Sequence, residues 1–133
     1  MKAQYAARAA VDLAERYEMG PVRSQDIAKR QQINEPFLDQ IMTLLRKAGL
    51  VRSTRGPHGG HELARPPSTL TLKDVVEAVQ VPISRTPDGR QGAVLQDVWD
   101  ELAEVCDGVL GSATLERLVQ RKRQLDARAA YHI

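Results

Sequence analysis

The sequence of 133 residues contains a single cysteine, Cys106. One thiol cannot form a disulfide within the chain, and it is too few for a metal site built from cysteines alone. A chain without disulfides is typical of a reducing compartment. We therefore expect a cytoplasmic protein.

Aromatic residues are also scarce: one Trp, three Tyr and one Phe. Aliphatic side chains must supply nearly all of the core, which favours a helical fold class. No run of the sequence approaches 18 apolar residues, and residues 1–4 lack the apolar stretch of a signal peptide. We expect one soluble domain with no membrane partner.

Positive charge is concentrated in the first half of the sequence. Residues 1–65 hold eleven Lys and Arg against seven Asp and Glu, whereas residues 66–133 hold eight against ten. This asymmetry is compatible with a nucleic-acid partner, although a solvated protein surface can look the same.

Apolar residues at helical spacing predict three helices in the first 48 residues, at about 2–19, 25–31 and 35–48. Ser24 is a candidate N-cap for the second helix, and Asn34 or Glu35 for the third, with Pro36 in its first turn. The predicted buried stripe of the third helix consists of Phe37, Leu38, Ile41, Leu44, Leu45 and Ala48. A short helix, a tight turn and an amphipathic helix form a helix-turn-helix.

Two short strands, 50–53 and 61–64, flank a glycine-rich turn directly after this unit, and such a hairpin is a wing. Thr71 and Asp74 resemble a capping box that begins a fourth helix reaching about Gln80. Residues 81–92, with two prolines and two glycines, predict a loop.

Residues 93–110 carry apolar side chains in a heptad-like order, which predicts a long helix able to pair with a second copy. The predicted dimer interface consists of Leu95, Val98, Trp99, Leu102, Val105, Cys106 and Val109. A last helix and a basic tail follow. The predicted fold is mainly α: a winged helix-turn-helix domain (1–80) with a two-stranded wing, a loop (81–92), and a dimerisation helix with a C-terminal helix and tail (93–133).

The second helix of a helix-turn-helix enters the major groove of DNA and presents its N-terminal residues to base edges. The candidates on its exposed face are Asn34, Glu35, Pro36, Asp39, Gln40 and Thr43. Gln40 suits adenine, Asp39 or Glu35 suits cytosine, and Phe37, if not fully buried, suits a thymine methyl group. The alternative is an ordinary polar helix face.

The wing favours DNA binding over that alternative. Gly56, Gly59 and Gly60 allow close approach to a phosphate chain, and Arg55 at the tip can enter a narrow minor groove. We expect His58 to contact a phosphate or groove, and His61 to pack within the wing. Ser24 and the basic residues Lys29, Arg30, Arg46, Lys47 and Arg52 complete the candidate contacts to DNA.

Residues Leu44–Val51, followed by Arg55–Leu63, resemble the helix and wing of the Rrf-type ("Rrf two") family of transcription regulators, which includes IscR-, NsrR- and CymR-like proteins. The resemblance extends over most of residues 2–80. It implies a homodimer whose long fifth helices pair, with recognition helices in the major grooves of a palindromic operator and wings in the flanking minor grooves. It assigns residues 34–37, Asp39 and Gln40 to base edges and Arg55 to the minor groove. We expect a repressor.

The sequence departs from this family in three places. Sensing members carry three cysteines after the fourth helix as ligands of an iron–sulfur cluster, whereas residues 84–92 contain none. We therefore predict no cluster and no cofactor. Pro36 replaces a residue that is often a small hydroxyl residue in the family, and His61 replaces one that is usually aromatic.

Without a cluster, the regulatory signal is expected to come from a small-molecule ligand or a regulatory protein partner. Two alternative functions stay open: a winged-helix module for protein interactions, and a thiol-based redox sensor acting through Cys106. The simplest interpretation of Cys106 is a small hydrophobic residue on an apolar stripe. No set of residues resembles an active site, so we expect no enzymatic activity.

Overall fold

The computed structural model describes residues 2–80 and 89–131. This part of the chain forms six α-helices, a short 3₁₀ turn (Pro67–Thr69) and a two-stranded antiparallel ribbon, which confirms the mainly helical class and the wing. The elements are α1 (Lys2–Glu15), α2 (Ser24–Gln31), α3 (Glu35–Lys47), β1 (Val51–Thr54), β2 (Gly60–Leu63), α4 (Leu72–Val79), α5 (Gly89–Ser112) and α6 (Leu115–Tyr131).

Helix α1 lies at the centre of the core. Its inner face is made mostly of alanines, and Ala6, Ala9 and Ala10 are almost completely buried beside Leu13. Because these side chains are small, several elements can approach α1 closely, and it packs against α2, α3, α4, α6 and β2. The scarcity of large aromatic side chains in the sequence is consistent with this core.

Helix α2 begins at Ser24, and the prediction that Ser24 is its N-cap is wrong. Arg23 occupies the cap position without a side-chain hydrogen bond to the helix. The Ser24 hydroxyl instead contacts His61 on β2, a partner 37 residues away. The hydroxyl that was expected to cap α2 therefore forms a hydrogen bond with the wing instead.

Helix α3 begins as predicted, with the Asn34 side chain accepting a hydrogen bond from the Phe37 backbone N–H at 3.3 Å and Pro36 in the first turn. Its buried residues are Leu38, Ile41, Met42 and Leu45. The predicted stripe was partly wrong, because Ala48 is exposed and Phe37 and Leu44 are only half-buried. The helix ends at Lys47, so Ala48 already belongs to the turn into β1.

The wing strands lie within one residue of their predicted bounds. Val51 pairs with Leu63, and both side chains are buried, while Ser53 pairs with His61. The ribbon is also joined to the segment before α2, since Val22 and His61 exchange backbone hydrogen bonds of 2.8 and 2.7 Å. The wing is therefore held at its base by both core packing and backbone pairing.

The predicted capping box of α4 is confirmed. The Thr71 hydroxyl accepts from the Asp74 backbone N–H at 3.3 Å, and the Asp74 carboxylate accepts from the Thr71 backbone N–H at 3.0 Å. Helix α6 buries Leu115 and Val119 against the core and continues to Tyr131, through the region predicted as a basic tail.

Helix α5 begins at Gly89, four residues before the predicted start at Ala93, and it includes Gly111 and Ser112, which were predicted to break it. Residues 81–88 of the predicted loop lie outside the described residues. None of the helices described here has both the length and the apolar character needed to cross a membrane.

A buried ion pair joins α1 to α2. The Asp12 carboxylate is 1% exposed and accepts hydrogen bonds from Arg30 Nε at 2.9 Å, Arg30 Nη2 at 2.8 Å and Gln31 Nε2 at 2.9 Å. Burial alone would raise the pKa of Asp12, but these hydrogen bonds and the charges of Arg16 and Arg30 hold it below its ordinary value. Arg30, a predicted phosphate contact, thus has a structural partner.

Arg30→Met is expected to lower the free energy of unfolding by about 2 kcal/mol, because the buried carboxylate loses two charge-assisted hydrogen bonds. Gln31 and Arg16 still contact Asp12, and Arg30 is about one-third exposed, so the loss stays below that of a fully buried pair. Urea denaturation at neutral pH measures the change. Lys29→Met, at the next exposed position of α2, is the matched control, and equal stability of the two variants would refute the role given to Arg30.

Candidate nucleic-acid interface

The N-terminal half of α3 presents a polar surface. Glu35, Asp39 and Gln40 are exposed, and so is Pro36 in the first turn. Glu35 and Asp39 offer acceptors, and the amide of Gln40 offers a donor and an acceptor on one group. This is the surface on which the contacts to DNA bases were predicted from the sequence.

Two predicted contact residues on this helix also have internal roles. The Asn34 side chain caps the helix, and the Thr43 hydroxyl donates to the Asp39 carbonyl at 2.8 Å. Phe37 is half-buried and packs edge-on against Tyr5, with ring centroids 5.6 Å apart. Phe37 is therefore not fully buried, which is the condition under which it was predicted to contact a thymine methyl group.

The tip of the wing is exposed at Arg55, Gly56 and His58, whereas Gly59 is buried. Gly56 has φ +108°, a conformation that favours glycine. A Cβ on Gly59 would lie 2.0 Å from the Thr54 carbonyl oxygen. Gly59 therefore shapes the turn through its missing side chain, and Arg55 and His58 are the side chains that the turn displays.

His61 connects the wing to the helix-turn-helix. Its Nε2 lies 2.6 Å from Ser24 Oγ, and its Nδ1 lies 2.7 Å from Ser53 Oγ. Burial lowers the pKa of His61; Asp39 nearby opposes this shift, and Arg46 adds to it. The sequence suggested only packing for His61.

Arg23 makes a second connection, which sequence reasoning missed. Its Nη2 donates to the Pro57 carbonyl at 2.6 Å and so links the residue before α2 to the tip of the wing. Ser53 was missed as well. Neither residue carries a local signal, because their partners are set by how the wing folds back.

Several basic side chains remain available around this surface. Lys29, Arg46, Lys47 and Arg52 are exposed, and Arg52 lies 4.0 Å from the half-buried Glu62 at the protein surface. Such a pair contributes little and leaves Arg52 free to contact a phosphate. Among the predicted phosphate contacts, Arg30 is the one bound to a buried carboxylate.

The apolar stripe on α5 is exposed on this chain. Val98, Val105 and Val109 are each more than half exposed, and Cys106 is half-buried. Leu95, Trp99 and Leu102 are 48%, 40% and 40% exposed. Positions three and four apart share a helix face, so these residues form one continuous surface.

Comparison with known proteins identifies relatives over nearly the whole sequence. Residues 1–121 match the family Rrf2, described as an iron-dependent transcriptional regulator. The HTH-type transcriptional regulator IscR of Klebsiella pneumoniae (strain 342) is 36% identical over 138 residues, which span 98% of this chain and 85% of the relative.

Two solved structures have a similar fold. The global cysteine regulator CymR of B. subtilis has a TM-score of 0.76 at 31% identity, covering 91% of this chain and 95% of that one. IscR of T. potens also has a TM-score of 0.76, at 36% identity, covering 92% of this chain and 85% of that one.

The donor set of this chain does not fit an iron–sulfur cluster. Such clusters are normally held by several thiolates, and the sequence has one cysteine, on α5. Within residues 2–80 and 89–131, no three His, Cys, Asp or Glu side chains are grouped so that they could hold a metal ion. The helix-turn-helix and the two-stranded wing are thus present on a chain whose single thiol does not fit a cluster.

His61 is expected to make folding sensitive to mild acid. Because its pKa in the folded chain lies below the ordinary value of 6.5, the unfolded chain binds this proton first as the pH falls. The contribution of His61 to stability is therefore complete above about pH 6.5 and is lost below it. Denaturation between pH 7.5 and 5.5 should show a steeper loss for the native sequence than for His61→Gln. His58→Gln, on the exposed wing tip, should keep the steep dependence, and identical profiles for the native chain and His61→Gln would contradict the assignment.

Proposed function

The chain belongs to the Rrf2 family of DNA-binding transcription regulators, and from this premise we propose that it is a cytoplasmic, homodimeric repressor that binds a palindromic operator without an iron–sulfur cluster. The observation that carries the proposal is the exposed apolar stripe of α5 on the same chain as an exposed recognition helix and wing. In this proposal the apolar stripe of α5 forms the dimer, and the recognition helix and the wing contact DNA.

Residues 1–80 serve as the DNA-binding domain in this proposal, and α3 enters the major groove. Gln40 contacts adenine, and Asp39 or Glu35 accepts from the amino group of cytosine. The neighbouring contacts come from Asn34, Pro36, Phe37 and Thr43. The exposure of Glu35, Asp39 and Gln40 supports this assignment.

The wing enters the adjacent minor groove through Arg55, with His58 beside it. Gly56 and Gly59 give the turn its shape, so that the backbone at the tip comes close to the phosphates. Phosphate contacts come from Ser24 and from the basic residues Lys29, Arg46, Lys47 and Arg52.

The dimer forms through α5 of two copies. A continuous apolar surface that is exposed on one chain is typical of a protein interface. A two-fold interface places two recognition helices in a symmetric arrangement, which matches two half-sites of a palindrome. Cys106 lies half-buried on this face and packs there as a small apolar residue.

The regulatory signal reaches this protein through a small-molecule ligand or a regulatory protein partner. The proposal rests on the donor set, since one thiol cannot replace the several thiolates of a cluster. Repression is the regulatory outcome in this proposal, because a dimer seated on its operator is able to exclude other proteins from that DNA.

Arg55→Ala is expected to weaken binding to the upstream DNA of its own gene by about 1–3 kcal/mol and to reduce the salt slope by about one, because one cation leaves the groove. Gln40→Ala is expected to cost about 1–3 kcal/mol on the preferred site and to relax specificity at one base pair. Gel shifts across a salt series measure both. Arg128→Ala, an exposed arginine of α6 outside the proposed surface, is the control. If Arg55→Ala binds DNA with unchanged affinity, the tip of the wing is not part of the interface.

Leu102→Glu is expected to raise the dissociation constant of the dimer about a hundredfold, which corresponds to roughly 3 kcal/mol, because a carboxylate would lie in the middle of an apolar interface. Sedimentation across a concentration series measures the change. Ala93→Glu adds the same charge on the opposite face of α5, where the side chain is exposed, and should leave the dimer intact. If the two variants dissociate equally, the dimer does not form through this stripe.

A further inference from the structure

Three side chains form a bridge between the wing and α2: Ser24, His61 and Ser53, here called the serine–histidine bridge. The two ring nitrogens of His61 lie 2.6 Å from Ser24 Oγ and 2.7 Å from Ser53 Oγ. The His61 backbone is paired with Val22 by two hydrogen bonds. The ring is therefore held at a fixed point, with a hydroxyl on each side.

The protonation state of His61 decides what these hydroxyls can do. A neutral imidazole has one N–H donor and one acceptor nitrogen, so one serine accepts from the ring and the other donates its proton to the ring. A protonated imidazole donates from both nitrogens. Both hydroxyls then accept from the ring, and both of their protons become free for another acceptor. Protonation thus gains one hydroxyl donor per chain and adds one positive charge.

The bridge lies within the proposed DNA surface. Ser24 is the first residue of α2, and Ser53 is exposed on β1 beside Arg52. The charges that act on the His61 ring come from Asp39 and Arg46, both on α3. Arg52 and Glu62 alternate with Ser53 and His61 along the ribbon and so lie on its other face. Arg23, the residue before α2, donates a hydrogen bond to the Pro57 carbonyl.

We propose that His61 is a proton-dependent positioning residue for DNA binding, whose protonation leaves both the Ser24 and the Ser53 hydroxyl free to donate to the phosphate groups of the DNA backbone. This inference rests on the DNA surface proposed above. A phosphate group close to the bridge favours the imidazolium ion and accepts the released hydroxyl proton. The complex therefore takes up one proton from the buffer at each His61, and affinity rises as the pH falls.

The test uses the full chain with His58→Gln and His132→Gln, in which His61 is the remaining histidine of the three in the sequence. The dissociation constant for the upstream DNA is measured from pH 8 to pH 6 at constant ionic strength. The expected result is a gain in affinity of about threefold or more per pH unit, with an upper limit of about tenfold for each proton taken up. Calorimetry in buffers of different ionisation enthalpy counts the protons directly. Adding His61→Gln should remove the pH dependence.

A second pair of variants separates the hydroxyl donors from the charge. With Ser24→Ala or Ser53→Ala in the same background, the ring can donate to the one remaining serine even when it is neutral, so protonation releases no further hydroxyl. The gain in affinity on acidification should then be smaller than with both serines present. A purely structural role for the serines would lower affinity equally at every pH. Should His61→Gln fail to fold, as judged by circular dichroism, the serine variants carry the test alone.

The outcomes distinguish this inference from the function on which it rests. Affinity that does not change with pH in the His61-only background, or a dependence that survives His61→Gln, overturns the role of His61 and leaves DNA binding in place. A pH dependence that the serine substitutions leave at full strength overturns the role of the hydroxyls. Absence of sequence-dependent binding at every pH in the native chain overturns the proposed DNA surface and this inference with it.

Discussion

The buried carboxylate of Asp12 sets a constraint on which the arrangement of the helix-turn-helix and the wing depends. A carboxylate that is almost fully buried must be paired, and its partners Arg30 and Gln31 lie at the end of α2. This pair therefore helps to fix the position of α2 relative to α1, together with the buried Ile27 and Ala28 of α2. Because a turn of three residues joins α2 to α3, the orientation of α3 follows from that of α2. The wing is hydrogen-bonded to the N-terminal end of α2, so the position of the wing also depends on that of α2.

In this arrangement the core of the protein is largely separate from the side chains proposed to meet DNA. The core consists of the alanine face of α1 and the apolar faces of the helices around it, and α6 returns to α1, where Lys122 pairs with Glu15. The side chains proposed to meet DNA are mostly exposed and contribute little to that core. His61 beside them is half-buried, and this burial favours the neutral form of its ring. In the proposed complex a phosphate near the ring would favour the charged form, so folding and DNA binding would favour opposite protonation states of His61.

This chain shares the fold of its family, but its single thiol does not fit an iron–sulfur cluster. The family is described as iron-dependent, yet the helix-turn-helix, the wing and α5 are all present on a chain whose single thiol cannot hold a cluster. This is physically consistent, because the recognition helix and the wing are held by core packing and by contacts such as Asp12 with Arg30, none of which needs a metal.

Local physical rules account for what could be predicted from the sequence. Helical spacing, the Asn34 cap, the capping box at Thr71, the glycine-rich turn of the wing and the apolar stripe of α5 all depend on residues a few positions apart, and all are present in the structure. Tertiary structure decided the partners of several polar side chains. Arg30 was predicted to contact a phosphate and Ser24 to cap a helix, but they form hydrogen bonds with Asp12 and His61, which lie 18 and 37 residues away.

Arg23 and Ser53 carried no local signal at all, since their contacts exist only after the wing has folded back onto α2. A buried polar group must find a partner, and which partner it finds depends on how the helices pack.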